Sequence, residues 1–158
     1  MLTICKCAVM KTRRQTSRTP SAEAFTQLIL ETFRFNGRLI VAGDQLTKEL
    51  GLTSALWQVL GAIDEAPLPV AQIARSMGLT RQSVRRTVNV LKDKGFVEFQ
   101  DNPNHQRSKL VVLNKKGRNV FDQVTEMQIE WSNSVSKGLS VTKLNSVIQT
   151  MRAIGDRL

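Results

Sequence analysis

The sequence lacks several residue types on which enzymes and metal sites depend. It contains no tyrosine and one histidine, His105, and its only cysteines, Cys5 and Cys7, lie two positions apart near the start. These three residues provide neither a disulfide framework nor the spacing of metal ligands. No paired carboxylates or glycine-rich phosphate loop complete a catalytic set either. We therefore expect neither an enzyme nor a bound metal or cofactor.

Long apolar runs are also missing from the chain. No stretch approaches the ~18 consecutive apolar residues of a membrane span, and the first ten residues lack the basic start and apolar core of a signal peptide. The scarcity of cysteine fits a reducing compartment. These observations predict a cytoplasmic protein without a membrane partner.

What the chain has in excess is positive charge, and this charge is concentrated in two segments. The formal net charge is +10. Residues 1–20 carry five positive and no negative side chains, and residues 81–118 carry ten positive and three negative. A localised basic excess is typical of proteins that bind a polyanion such as nucleic acid.

The spacing of apolar residues predicts a mostly α-helical protein. Residues 1–19 show no apolar period, so we expect a flexible basic tail. A long first helix is predicted from about Pro20 until Gly51 ends it, and a second one is predicted from the Thr53 cap up to Pro67. The apolar content of 41% over 158 residues is enough for the core of one domain.

The next segment has the pattern of a helix-turn-helix motif. Pro69 can begin a third helix, which Gly78 closes after barely two turns. Thr80 can cap a fourth helix, which Gly95 ends. A short helix, a glycine turn and a second helix are typical of this DNA-binding motif.

A small β-hairpin and two more helices are predicted after it. Residues 96–99 and 110–113 have the β-branched and aromatic composition of strands, with a turn at residues 101–104. Asn114 can cap a long fifth helix and Ser140 a sixth. The predicted architecture is therefore a winged helix-turn-helix with further helices on both sides of it.

The fourth helix is predicted to present polar residues on the face opposite its core. Val84, Val88 and Leu91 recur at helical spacing and predict a buried face. Arginine can pair with guanine, asparagine or glutamine with adenine, and serine with a base or a phosphate. Base contacts favour the start of such a helix. The predicted DNA-binding residues here are Thr80, Arg81, Gln82, Ser83, Arg85, Arg86 and Asn89.

The hairpin adds a second basic element. Arg107 follows its turn, and arginine suits a narrow minor groove, where the potential is most negative. Lys109 and Lys115 are predicted to neutralise phosphates, contacts that position a protein without specifying sequence.

Residues 52–117, from LTSALWQVLG to VVLNKKG, resemble the MarR (multiple antibiotic resistance regulator) family of winged-helix transcriptional regulators. The resemblance implies one domain over residues 20–158, with dimerisation helices at 20–50 and 114–158 and a winged helix-turn-helix at 53–113. It also implies a homodimer that binds double-stranded DNA at a pseudo-palindromic operator, usually as a repressor. In many members a small phenolic or other amphipathic ligand releases the DNA.

Two positions depart from the family pattern. The wing usually has an acid two residues before its arginine, but this chain has His105 there, and Asp101 is a candidate substitute. A pH-sensing role for His105 is the weaker interpretation of this exchange. The third helix begins at Pro69, where the family often has a threonine or serine cap, and the loss of that cap costs about 1 kcal/mol.

Three questions stay open at the level of sequence. A ligand pocket is predicted at Arg34, Phe35, Arg38, Trp57 and Trp131, although aromatic residues at helical spacing are more often core or interface. Cys5 and Cys7 allow a redox-sensing regulator as an alternative, but a sensor thiol needs a fixed environment that lowers its pKa. A sequence-independent architectural DNA-binding protein is the other alternative.

Overall fold

The computed structural model describes residues 17–105 and 107–158. Most of the predicted tail therefore lies outside the described residues, and so do Cys5 and Cys7. The chain divides into two units, one ending at Arg38 and the other running from Leu39 to Leu158, and the boundary falls inside the first helix. No helix in the described ranges is both long enough and apolar enough to cross a bilayer.

The described chain is mostly helical and contains three short strands, in agreement with the predicted fold class. The helices are α1 (Pro20–Thr47), α2 (Ser54–Ala62), α3 (Val70–Ser76), α4 (Arg81–Asp93), α5 (Lys115–Ser136) and α6 (Val141–Gly155). The strands are β1 (Leu68–Pro69), β2 (Val97–Gln100) and β3 (Leu110–Leu113). A single 3-10 turn at Lys48–Leu50 follows α1.

The first unit holds the start of α1. The hydroxyl oxygen of Thr19 accepts a hydrogen bond from the Ala22 amide at 3.2 Å. Pro20 takes the first helical position, where its missing N–H has no helical partner to lose. The predicted start at Pro20 is confirmed.

In the second unit, four predicted caps begin the helices. Thr53, Thr80, Asn114 and Ser140 each accept a hydrogen bond from the backbone amide three residues further on. A side-chain cap of this kind stabilises a helix by about 1 kcal/mol. The predicted ends at Gly51, Gly78 and Gly95 also form, each with a positive φ that glycine adopts without strain.

The core of the second unit lies between α2, α3, α4, the sheet and α5. Leu60, Ile73, Leu91 and Val111 are fully buried there, and Val124 brings α5 into the same cluster. One face of α4 is therefore fixed against the rest of the winged-helix module.

The wing is part of a three-stranded sheet rather than a hairpin alone. Its strand order is β1-β3-β2, and both pairings are antiparallel. β1 was not predicted. Its Pro69 pairs with Leu110 at the edge of the sheet, where proline is tolerated because one side of the strand needs no donor. Pro69 is thus the residue before α3, not the first residue of that helix.

Other element ends differ from the prediction by a few residues. α2 ends at Ala62 instead of near Pro67, because the Ile63 amide turns back to the Leu60 carbonyl at 3.2 Å. The first helix changes to a 3-10 turn after Thr47, and β2 begins at Val97 instead of Phe96.

A tight junction connects the end of α4 to the start of α5. The Asn114 side chain donates to the Gly95 carbonyl at 2.9 Å, and its backbone amide donates to the Phe96 carbonyl at 3.2 Å. A Cβ on Gly117 would lie 1.9 Å from that same Phe96 carbonyl oxygen. The first turn of α5 is therefore packed closely against the backbone of the segment that follows α4.

Candidate nucleic-acid interface

The outward face of α4 is exposed and polar. Val84 and Val88 are fully buried on its inner side, while Gln82, Arg86 and Asn89 are exposed on the opposite side. Because residues about four apart share a helix face, these three side chains form one row. The row presents amide and guanidinium groups, the groups that recognise the edges of adenine and guanine.

The start of α4 is suited to an anion. Thr80 caps the helix by accepting from the Ser83 amide at 3.1 Å, and the first turn contains no acidic residue. The positive end of the helix dipole and the side chain of Arg81 therefore meet no negative charge in that turn. A phosphate can approach this end.

A cleft between α4 and the wing brings together three of the predicted residues. It has a volume of about 340 Å³ and is lined by Val70, Arg85, Phe99, Arg107, Ser108 and Lys109. We call it the wing cleft. Arg85, Arg107 and Lys109 are distant in sequence, but here they surround one space and give it a positive potential.

Sequence reasoning did not identify the other residues of the wing cleft. Val70 and Phe99 carry no polar group, and their place at the cleft depends on how α3 and β2 pack. Ser108 could have been proposed from its position between two basic residues.

The cations at the start of α5 have different roles. Lys115 is exposed at the first helical position. The Lys116 ammonium donates to the Lys94 carbonyl at 2.9 Å and lies 4.9 Å from the centre of the Phe96 ring. Lys116 is thereby engaged in the fold, while the phosphate contact of Lys115 stays a prediction.

Arg118 is also engaged within the protein. Its guanidinium forms an ion pair with the Asp64 carboxylate and donates to the Asp64 carbonyl at 3.0 Å. This double contact ties α5 to the segment after α2. Part of the basic excess of residues 81–118 therefore stabilises the fold.

The acid that was expected to orient Arg107 has another partner. Asp101 lies 3.5 Å from the Lys109 ammonium, and both side chains are exposed. His105 is exposed, and its backbone closes the turn through Asn102 and Ser108. The suggestion that Asp101 replaces the missing acid beside Arg107 is wrong in this structure, because the carboxylate pairs with Lys109.

Comparison with known proteins identifies the family. Residues 50–108 match the sequence model of the MarR family. An uncharacterised protein of Mycobacterium tuberculosis is 32% identical over 131 residues, which cover 83% of this chain and 92% of that protein. The chain belongs to the MarR family. It is a DNA-binding winged helix-turn-helix protein of a family of transcriptional regulators.

Solved MarR-family structures and other regulators share the fold. The transcriptional regulator BldR from Sulfolobus solfataricus has a TM-score of 0.78 at 20% identity, covering 89% of this chain and 100% of that chain. A cysteine-to-serine variant of MarR from Escherichia coli, complexed with operator DNA, has a TM-score of 0.70 at 20% identity, with coverages of 83% and 93%. CouR from Rhodococcus jostii, bound to p-coumaroyl-CoA, has a TM-score of 0.72 at 22% identity, with coverages of 87% and 95%.

The residues predicted for a MarR-type ligand pocket fall in both units. In the first unit, Arg34 pairs with Glu31, and Phe35 and Arg38 are exposed. In the second unit, Trp57 packs half-buried against the winged-helix core and Trp131 is half-buried on α5. The pocket stays a prediction.

Proposed function

We propose that this MarR-family protein is a homodimeric repressor of a pseudo-palindromic operator. The observation that carries the proposal is the exposed polar row on α4, held in place by a face that is fully buried. In a dimer, two such helices enter successive major grooves roughly 10 bp apart, and the wings lie beside them.

The proposed contacts divide into two kinds. Base edges are contacted from α4 by Gln82, Ser83, Arg85 and Arg86, with Asn89 further along the same helix. Arg107 enters the minor groove, and the charges that meet phosphates are those of Arg81, Lys109 and Lys115, with the Thr80 hydroxyl beside them. The contacts of the first kind set the sequence preference, and those of the second kind set the salt dependence.

The proposed dimer covers apolar side chains that are exposed in the single chain. On α6, Leu144, Ile148 and Met151 lie at helical spacing and retain 41%, 45% and 47% of their exposure. In the first unit, Phe33 and Phe35 on α1 are exposed as well. Exposed apolar side chains at helical spacing, such as those on α6, are typical of protein interfaces, since water leaves them when a second copy binds.

Release by a small amphipathic or phenolic ligand completes the proposal. The support for it is the fold shared with CouR, whose structure holds p-coumaroyl-CoA. A ligand weakens DNA binding only to the extent that it prefers a helix spacing other than the DNA-bound one.

Recovery of bound genomic fragments tests the proposal. Fragments that share an inverted repeat are expected, and a duplex with this repeat should be preferred over random DNA by ~10³ or more. Deletion of the gene should raise transcription of the genes beside the recovered fragments. A protein that binds random and recovered DNA alike would be an architectural protein, and lowered transcription would indicate an activator.

A further inference from the structure

A second cleft lies on the flank of α4 away from the wing cleft. Its volume is about 380 Å³. It lies between the outward side of α4 and the turn before α2, and is lined by Gly51, Thr53, Ala55, Leu56, Arg86, Thr87, Val90 and Lys94. We call it the α2 cleft.

The charged side chains that line the α2 cleft are both positive. In the described ranges, neither Arg86 nor Lys94 takes part in an ion pair. The Lys94 ammonium lies over the Gly51 turn, 4.0 Å from the position that a Cβ on Gly51 would occupy. The backbone of Lys94 is fixed independently, because its carbonyl accepts from the Lys116 ammonium.

The carboxylate of Asp44 is engaged at the start of α2. Asp44 accepts a hydrogen bond from the Ser54 amide at 2.6 Å, so its carboxylate offsets the positive end of α2. The positive charge available to an anion in the α2 cleft therefore comes from the side chains of Arg86 and Lys94 and not from the start of α2. Asp93, next to Lys94, does not line the cleft.

Arg85 and Arg86 diverge to opposite flanks of α4. Adjacent residues on a helix are separated by about 100°, and Arg85 lines the wing cleft whereas Arg86 lines the α2 cleft. A major groove about 12 Å wide accommodates a helix that is about 10–12 Å across with its side chains. Each flank of such a helix faces one of the two phosphate backbones that border the groove.

We propose that the α2 cleft binds a phosphate of the DNA backbone through the Lys94 ammonium. Arg86 adds positive potential at the mouth of the cleft while it reaches the bases. This inference rests on the proposed insertion of α4 into the major groove. Lys94 on the α2 side is then the counterpart of Lys109 on the wing side, and α4 is held by phosphates of both DNA strands.

A salt titration of DNA binding tests the role of Lys94. Lys94→Gln should bind both the operator and a random duplex roughly tenfold more weakly, and the slope of log affinity against log salt should fall by about one unit per subunit. Lys143→Gln on α6 is the matched control, since it removes the same charge from an exposed lysine. The control should keep the wild-type affinity and slope.

Methylphosphonate scanning of the operator locates the contact. Replacing one phosphate at a time by its neutral methylphosphonate should reveal a position that weakens the wild type but not Lys94→Gln. The proposal is overturned if no such position exists, if Lys94→Gln keeps the wild-type slope, or if Lys143→Gln changes the slope equally. Failure of the wild type to prefer any duplex would instead overturn the proposed function, so the two failures are distinguishable.

Discussion

Gln82 is a neutral residue among the arginines of α4, so its substitution can test sequence preference separately from electrostatic affinity. It is exposed in the first turn of α4 and carries no charge. A neutral side chain displaces no counterions from DNA, so the contribution proposed for Gln82 is made by hydrogen bonds, in particular to base edges. Its removal should therefore change which DNA is bound and leave the electrostatic part of binding intact.

Gln82→Ala should lower the preference for the operator by about 1–3 kcal/mol per half-site. Affinity for random DNA, the salt slope and the melting temperature should stay at wild-type values, because alanine is at least as good a helix former. Fluorescence anisotropy with both duplexes measures these quantities. Gln123→Ala on α5 removes the same amide from an exposed helix position and should change none of them. An unchanged operator preference in Gln82→Ala would exclude Gln82 from base recognition.

Lys115 and Lys116 are neighbours with different expected effects. Lys115→Ala should weaken binding to all DNA about equally and lower the salt slope by about one unit per subunit, with an unchanged melting temperature. Lys116→Ala should reduce the free energy of unfolding by up to ~1 kcal/mol, since its ammonium binds the Lys94 carbonyl. Thermal unfolding and salt titrations on the two variants decide this, and a reversed pattern would refute the assignment.

Which side chains of α4 are buried could be predicted from the sequence, but the partners of the basic residues could not. The buried face of α4 follows from the local spacing of Val84, Val88 and Leu91, and all three are fully buried. Arg118 pairs with Asp64, which lies 54 residues earlier, and no local pattern indicates that contact. The count of positive charges in residues 81–118 therefore includes cations that the fold itself engages.

At the scale of elements, one junction joins the end of α4 to the start of α5. Asn114 caps α5 and also holds the carbonyl at the end of α4, so one side chain serves both helices. Asn114 therefore links the first turn of α5 directly to the residues that end α4.

Gly117→Ala should destabilise the protein by about 1–3 kcal/mol or more, through overpacking against backbone that cannot move aside. A Cβ there would lie 1.9 Å from the Phe96 carbonyl oxygen. Gly37→Ala is the matched control, since that helical glycine has no atom within 4 Å of its Cβ position. The control should be stabilised by up to about 1 kcal/mol from helix propensity. Denaturant unfolding measures both, and equal stability of the two variants would contradict the tight packing.

The helices and their caps were predicted because their signals are local, whereas β1 was not. β1 has two residues, one of them proline, and it exists only through its pairing with β3. An edge strand so short has no periodicity to detect. Because β1 pairs with β3, the wing is not a free hairpin, and its strand β3 is paired on both sides.

For the whole molecule, we expect operator affinity to depend on the proposed dimer. Ile148→Glu should produce a monomer at micromolar concentration, because it places a charge in the middle of the apolar stripe of α6. Operator affinity should fall with it, since two half-sites are then bound independently. Sedimentation measures the mass. Gln149→Glu adds the same charge at the next position, away from the stripe, and should remain a dimer. A wild-type monomer at this concentration would contradict the dimer itself.

The two half-buried tryptophans also give the protein a built-in optical label. With no tyrosine in the chain, its fluorescence arises almost entirely from Trp57 on α2 and Trp131 on α5. Trp57 packs against the winged-helix core, and Trp131 lies on the helix that continues beyond it. Substituting either one by phenylalanine leaves a single emitter, so changes around α2 and along α5 can be followed separately in the unlabelled protein.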